Sequence, residues 1–89
     1  MRGWNCRMVE LNREPVSGWA WKSVRAHNPQ RAAVAYCNDV SVWQDAQWEN
    51  GSDAVVEVEE HGGENGTHRM AVVAYEVLEF SATPADQTV

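Results

Sequence analysis

The chain has 89 residues, 44% of them hydrophobic, and a formal net charge of −6. A single domain of this size buries only about two thirds of its unfolded surface, which leaves little volume for a deep substrate pocket and weighs against an enzyme. Its acidity disfavours direct binding of DNA or RNA, and no apolar run reaches the roughly 20 residues of a membrane span.

Residues 3–11, GWNCRMVEL, read as a first strand that the NREPVSG turn ends at Pro15 and Gly18. WAWKSVRA then alternates Trp19, Trp21, Ser23 and Arg25 against Ala20, Lys22, Val24 and Ala26. That is strand spacing, and it puts Trp19, Trp21 and Arg25 on one face. A helix starts at HNPQRAAVAYCN, with Asn28 as N-cap, Pro29 in the first helical position and an apolar stripe of Ala32, Ala33, Tyr36, Cys37 and Val40. SVWQDAQWENG is ambiguous between helix and strand. Ser41 with Gln44 fits a capping box and Gly51 a helix terminus, which favours a second short helix.

DAVVEVEEH and RMAVVAYEVLEFSA read as two strands joined through GGENGT. With Asn65 and Gly66 at the centre of a type I′ turn, Val58 faces Val73, Val56 faces Tyr75 and Ala54 faces Val77 on an apolar side. The opposite side then pairs Glu59 with Val72, Glu57 with Ala74 and Val55 with Glu76. The predicted architecture is α+β, in the order β-β-α-(α)-β-β, with an antiparallel sheet of about four strands and the helix packed on one face. Residues 1–83 form the single domain and 84–89 a frayed C-terminal tail.

The unit VRAHNPQRAAVAY, a strand running into an Asn-Pro-capped helix and followed by an acidic hairpin, resembles a pattern in small phage and mobile-element proteins, among them some anti-CRISPR proteins. The resemblance covers about half the chain and carries no functional residue with it. What it implies is a phage-type inhibitor.

The stretch with most chemical interest is EEHGGENGTHRM, residues 59–70, where His61 and His68 flank a glycine-rich tip between glutamates. In the register above the imidazoles lie on different rungs, and structural zinc wants four ligands, usually with cysteines at short spacing. No metal and no cofactor are expected. Cys6 and Cys37 are too few for a disulfide framework and read as buried, reduced thiols, Cys37 lying on the apolar stripe rather than beside His27 as a nucleophile. With no catalytic residues assigned, and no apolar run followed by a cleavage site at the N-terminus, the expectation is a cytoplasmic, non-enzymatic protein.

Charge is uneven: residues 1–43 carry six bases against three acids, net +3, whereas residues 44–89 carry Arg69 against ten acids, net −9. The expected partner is therefore a protein with a basic surface. In its sharper form this is an inhibitor that occupies the nucleic-acid groove of a defence complex, with Glu57, Glu59, Glu60, Glu64 and Glu76 standing in for phosphates. Trp19, Trp21 and Arg25, of the residue types that dominate interface hot spots, make a second candidate binding face, although most of the five tryptophans are expected to fill the core. The alternatives are a homodimeric structural protein joined through an open sheet edge or the Trp face, and a small metal-dependent enzyme, which needs His61 and His68 to converge.

Overall fold

The computed structural model describes residues 2–47, 51–62, 66–75 and 79–85. Six strands and two helices follow in the order β1 (Arg2–Leu11), β2 (Glu14–Pro15), β3 (Lys22–Ala26), α1 (Pro29–Cys37), α2 (Val40–Ala46), β4 (Asp53–Glu60), β5 (Thr67–Tyr75) and β6 (Glu79–Pro84). All strand pairings among the described residues are antiparallel. The sheet runs β2-β1-β4-β5-β6, and β3 also pairs with β1. The α+β class and the one-sided helical layer agree with the sequence reading, while the sheet has more than the expected four strands.

Strand β1 is the centre of this arrangement. Its alternation sends Trp4, Cys6 and Met8 into the core, and a bulge between Met8 and Glu10 shifts its register against β4. A tight turn at Asn12 and Arg13, with φ of 51° and 71°, then folds β2 back so that Leu11 pairs with Glu14. Both central residues have the positive φ of a type I′ hairpin. The backbone N–H of Asn12 donates to the Asp53 carbonyl at 2.7 Å, and that of Asp53 donates to Asn12 Oδ1 at 3.2 Å, which fixes this turn to the start of β4.

Strand β3 pairs only with Arg2–Cys6 of β1, so the expected strand through Trp19 and Trp21 is corrected: both tryptophans precede β3, in residues 16–21. The physical reason lies in α1. Beyond Cys6, the Met8 amide donates at 3.1 Å to the buried Tyr36 hydroxyl rather than to a neighbouring strand, and the ladder stops. At the other end of β3, the Trp4 indole donates to the Ala26 carbonyl at 3.0 Å.

Helix α1 begins as the sequence indicates. Asn28 Oδ1 accepts the Arg31 amide at 2.8 Å, and Pro29 occupies the first turn, where its missing N–H costs nothing. Ala32, Ala33, Tyr36 and Cys37 are buried, the two alanines allowing close approach to the sheet. Val40 leaves the predicted stripe: α1 ends at Cys37 with Asn38 as its cap, and Val40 opens α2 at 71% exposure. Residues 40–46 are helical, but Asp39 rather than Ser41 caps them, its Oδ1 accepting the Ser41 amide at 2.9 Å, the Ser41 hydroxyl at 2.6 Å and the Val42 amide at 3.4 Å. Lys22 reaches across from β3 to Asp39 at 3.5 Å and Ser41 at 3.3 Å.

The β4–β5 register differs from the expected one. Val58 stands opposite His68, Val56 opposite Met70 and Ala54 opposite Val72, so Met70, Val72 and Ala74 are buried while Val73 is 37% exposed. The last β4–β5 pair is Glu59 with Thr67, a register that does not agree with a two-residue turn centred on residues 65 and 66. Gly62 and Gly66 have φ of +101° and +72°, a region that favours glycine, while Gly63, Glu64 and Asn65 lie outside the described residues. The apolar run read as one strand is two, β5 and β6, and the second covers backbone groups that the first would leave on an open edge. Pro84, assigned to the tail, pairs with Met70, and the Ala85 amide donates to the Arg69 carbonyl at 2.8 Å; residues 86–89 lie outside the described residues.

Two outcomes follow from these contacts. Replacing Tyr36 with Phe strands the buried Met8 amide and should cost about 1–3 kcal/mol in urea unfolding, whereas a loss below about 0.3 kcal/mol would show that the hydroxyl does not hold the amide. The Ser41 hydroxyl bond, helped by the Ser41 and Val42 amides and by Lys22, holds the Asp39 carboxyl below its ordinary value of 3.8. A carboxyl lowered by folding contributes stability above its unfolded pKa and loses it as pH falls through the folded one. Asp39→Asn keeps the cap oxygen but does not titrate, so the stability gap between wild type and variant should shrink as pH drops through and below 3.8. A gap independent of pH would contradict this.

Candidate interaction site

Because Trp4, Cys6 and Met8 point toward the helices, the alternate residues Gly3, Asn5 and Arg7 point to the opposite side of β1. Their direct neighbours share that side: Arg25 and Ser23 on β3, Glu59 and Glu57 on β4, then Thr67 and Arg69 on β5. The buried residues of α1 and α2 belong to the core cluster beneath the other face, so no helix among the described residues covers this one.

Glu57 lies at its centre. Arg7 Nε donates to Glu57 Oε1 at 3.0 Å and Arg7 Nη2 sits 2.9 Å from the same oxygen, while Arg69 Nη2 is 3.5 Å from Oε2. The Glu57 side chain is only 16% exposed. The Arg7 guanidinium in turn lies 4.3 Å from the centroid of the Trp21 ring. Each contact in the row Trp21–Arg7–Glu57–Arg69 contributes about 1 kcal/mol or less at such exposure, but together they hold an indole and two guanidinium groups in fixed positions.

The structure therefore divides the residues singled out in the sequence. Glu57 is neutralised by two arginines and Glu60 pairs with Arg2 at 3.4 Å, whereas Glu59 has no ion pair among the described residues. Glu64 and Glu76 lie outside the described residues. Trp21 is 40% exposed on Arg7, Trp19 packs against the core cluster, and Arg25 is exposed on β3 without an ion pair among the described residues. Trp19, Trp21 and Arg25 thus do not form the single strand face that their spacing suggested. Arg7 and Arg69 were missed, although Arg69, the lone base of the acidic half, is the signal that could have found its carboxylate partner.

The histidines separate. His68, opposite the buried Val58, is on the helical side of the sheet. His61 is on the other, its amide donating to the Gly3 carbonyl at 2.9 Å and its Nε2 lying 2.9 Å from Asn5 Oδ1 and 3.2 Å from Ser23 Oγ. Ser, His and Asn are brought together, but both partners converge on one ring nitrogen. That nitrogen can donate to Asn5 or accept from Ser23, not both, so the trio does not give the relay in which opposite ring nitrogens serve nucleophile and orienting group. No group of three or more His, Cys, Asp or Glu able to hold a metal occurs among the described residues. Burial pushes the Cys6 thiol up to about 12 and the Cys37 thiol well above its ordinary value, so neither offers a thiolate at neutral pH.

Comparison with known proteins gave no match to a family model, to a curated protein or to a solved structure. No helix among the described residues is long and apolar enough to cross a membrane.

The His61 ring lies against Gly3, where a Cβ would overlap it unless the ring moved. Gly3→Ala and His61→Ala should therefore be non-additive in unfolding free energy, with a coupling of about 1 kcal/mol, because removing the ring removes the conflict. Additivity to within about 0.3 kcal/mol would show that the ring does not rest on Gly3.

Proposed function

We propose that this chain is a non-enzymatic interaction domain that binds a protein with a basic surface through the open face of its sheet and the adjoining edge at Trp21. The observation that carries this reading is the exposed Trp21 ring stacked on Arg7, itself fixed by Glu57 on a face that no helix among the described residues covers. Tryptophan and arginine are the side chains most often responsible for interface affinity, and holding them in place before contact lowers the ordering cost of binding. Acidity supplies long-range attraction: five of the seven bases are in ion pairs among the described residues, and acids outnumber bases by thirteen to seven. The attraction comes from this overall excess rather than from a row of free carboxylates, since Glu57 and Glu60 are already paired. Two buried free thiols suit the reducing cytoplasm.

The test compares proteins captured from the native host by wild type, by Trp21→Ala and by Val40→Ser, the last changing an exposed apolar side chain on α2. A partner of the sheet face should be retained by Val40→Ser, weakened on the order of tenfold or more by Trp21→Ala, and released by moderate salt. A captured set that is the same for all three proteins would sink the proposal.

A further inference from the structure

Trp21 also belongs to a second feature. A small open pocket lies where residues 19–22 pass the helices, lined by Trp19, Trp21 and Tyr36 together with Val42, Lys22 and Asp45. We infer that this pocket receives the arginine side chain of a basic protein partner, the guanidinium stacking on the indoles and pairing with Asp45. The inference rests on the interaction reading above and names the residue type that the surface would grip.

Size limits the occupant. The pocket holds about 180 Å³, below the lower end, about 300 Å³, of sites that enclose a drug-sized ligand. It suits one side chain. Three of the residues that line it, Trp19, Trp21 and Tyr36, are aromatic, and the electron-rich faces of such rings attract cations.

Charge decides the sign. Lys22 is tied to Asp39 at 3.5 Å and to Ser41 at 3.3 Å, so its ammonium is compensated. Asp45 has no ion pair among the described residues, is exposed and lines the pocket. Counting Lys22, Asp39 and Asp45, the site carries a net charge of −1. Tyr36 adds none: burial raises its hydroxyl to about 12, and the group already accepts the Met8 amide. An anion would meet only a compensated ammonium and a free carboxylate, and a purely apolar group would leave Asp45 unused.

The protein itself shows what Trp21 takes. The Arg7 guanidinium stacks on this ring at 4.3 Å, is neutralised by Glu57 and does not line the pocket. Arginine is favoured over lysine because its planar group can stack and offer paired N–H donors to a carboxylate at once, which a compact ammonium cannot do.

The experiment is a titration of the full ¹⁵N-labelled chain with the acetylated, N-methylamide form of arginine, with the matching lysine and the uncharged citrulline derivatives alongside. Saturable shifts of the Trp19 and Trp21 indole N–H signals and the Asp45 amide are expected with arginine, at a Kd on the order of millimolar for a single side chain. Lysine should bind at least about threefold more weakly, citrulline should give no saturable shift, and Asp45→Asn should weaken arginine about fivefold or more. An unchanged Met8 amide signal in Asp45→Asn shows that the fold is intact. Equal response to citrulline, no saturable shift with arginine, equal affinity for lysine, or indifference to Asp45→Asn would each overturn the assignment. Since the probe needs no partner, such a failure alongside continued loss of capture in Trp21→Ala removes the arginine pocket and leaves the interaction surface standing. Unchanged capture in Trp21→Ala removes the surface reading instead.

Discussion

Which residues of β5 stand opposite β4 determines the chemistry of the whole open face. Side chains alternate along a strand, so displacing the pairing by an odd number of residues exchanges buried and exposed sets. With Val56 opposite Met70, the strand buries Met70, Val72 and Ala74 and brings Arg69 beside Glu57. The carboxylate at the centre of the face then has a second guanidinium next to the one from Arg7, and the surface becomes a fixed alternation of charges instead of a row of free acids. Some acidity of the C-terminal half is thereby spent within the protein.

A second constraint passes through β1. One stretch of this strand pairs with β3 and a later one with β2, and between them Tyr36 takes the Met8 amide. The chain leaves the sheet at that gap, through residues 16–21, and the departure brings Trp19 against the core and Trp21 onto Arg7. Tyr36 therefore has a structural and a positional role: its hydroxyl closes the gap in the backbone pairing, and its ring is part of the wall beside Trp19 and Trp21. Burial of the same side chain joins α1 to the sheet, so the helix, the interrupted edge and the exposed indole depend on one another.

Local signals in the sequence were readable where a few neighbouring residues decide the outcome. Asn28 and Pro29 set the start of α1 because capping is a contact within four residues, and the weak alternation of β1 matches its burial as far as Met8. Illegible features depended on distant contacts. Asn12 and Arg13 form a two-residue turn that their own identities do not announce, and it is the Asp53 backbone, far along the chain, that engages Asn12. The β4–β5 register was misread for the same reason: pattern fixes the period, but MAVVAYEV offers apolar residues at both parities, so pattern alone could not choose between them. Of the candidate site, Trp21, Glu57 and Arg25 were identified as surface candidates; their relation to Arg7 and Arg69 arose only from the strand order.

The register is therefore the claim to measure. In a selectively methyl-labelled sample, nuclear Overhauser contacts from the Val56 methyl groups report directly which residue of the next strand lies across from it. The account predicts a strong contact with the Met70 methyl group, and none between the methyl groups of Val58 and Val73. A Val58–Val73 contact without one between Val56 and Met70 would contradict it, and would also separate Arg69 from Glu57.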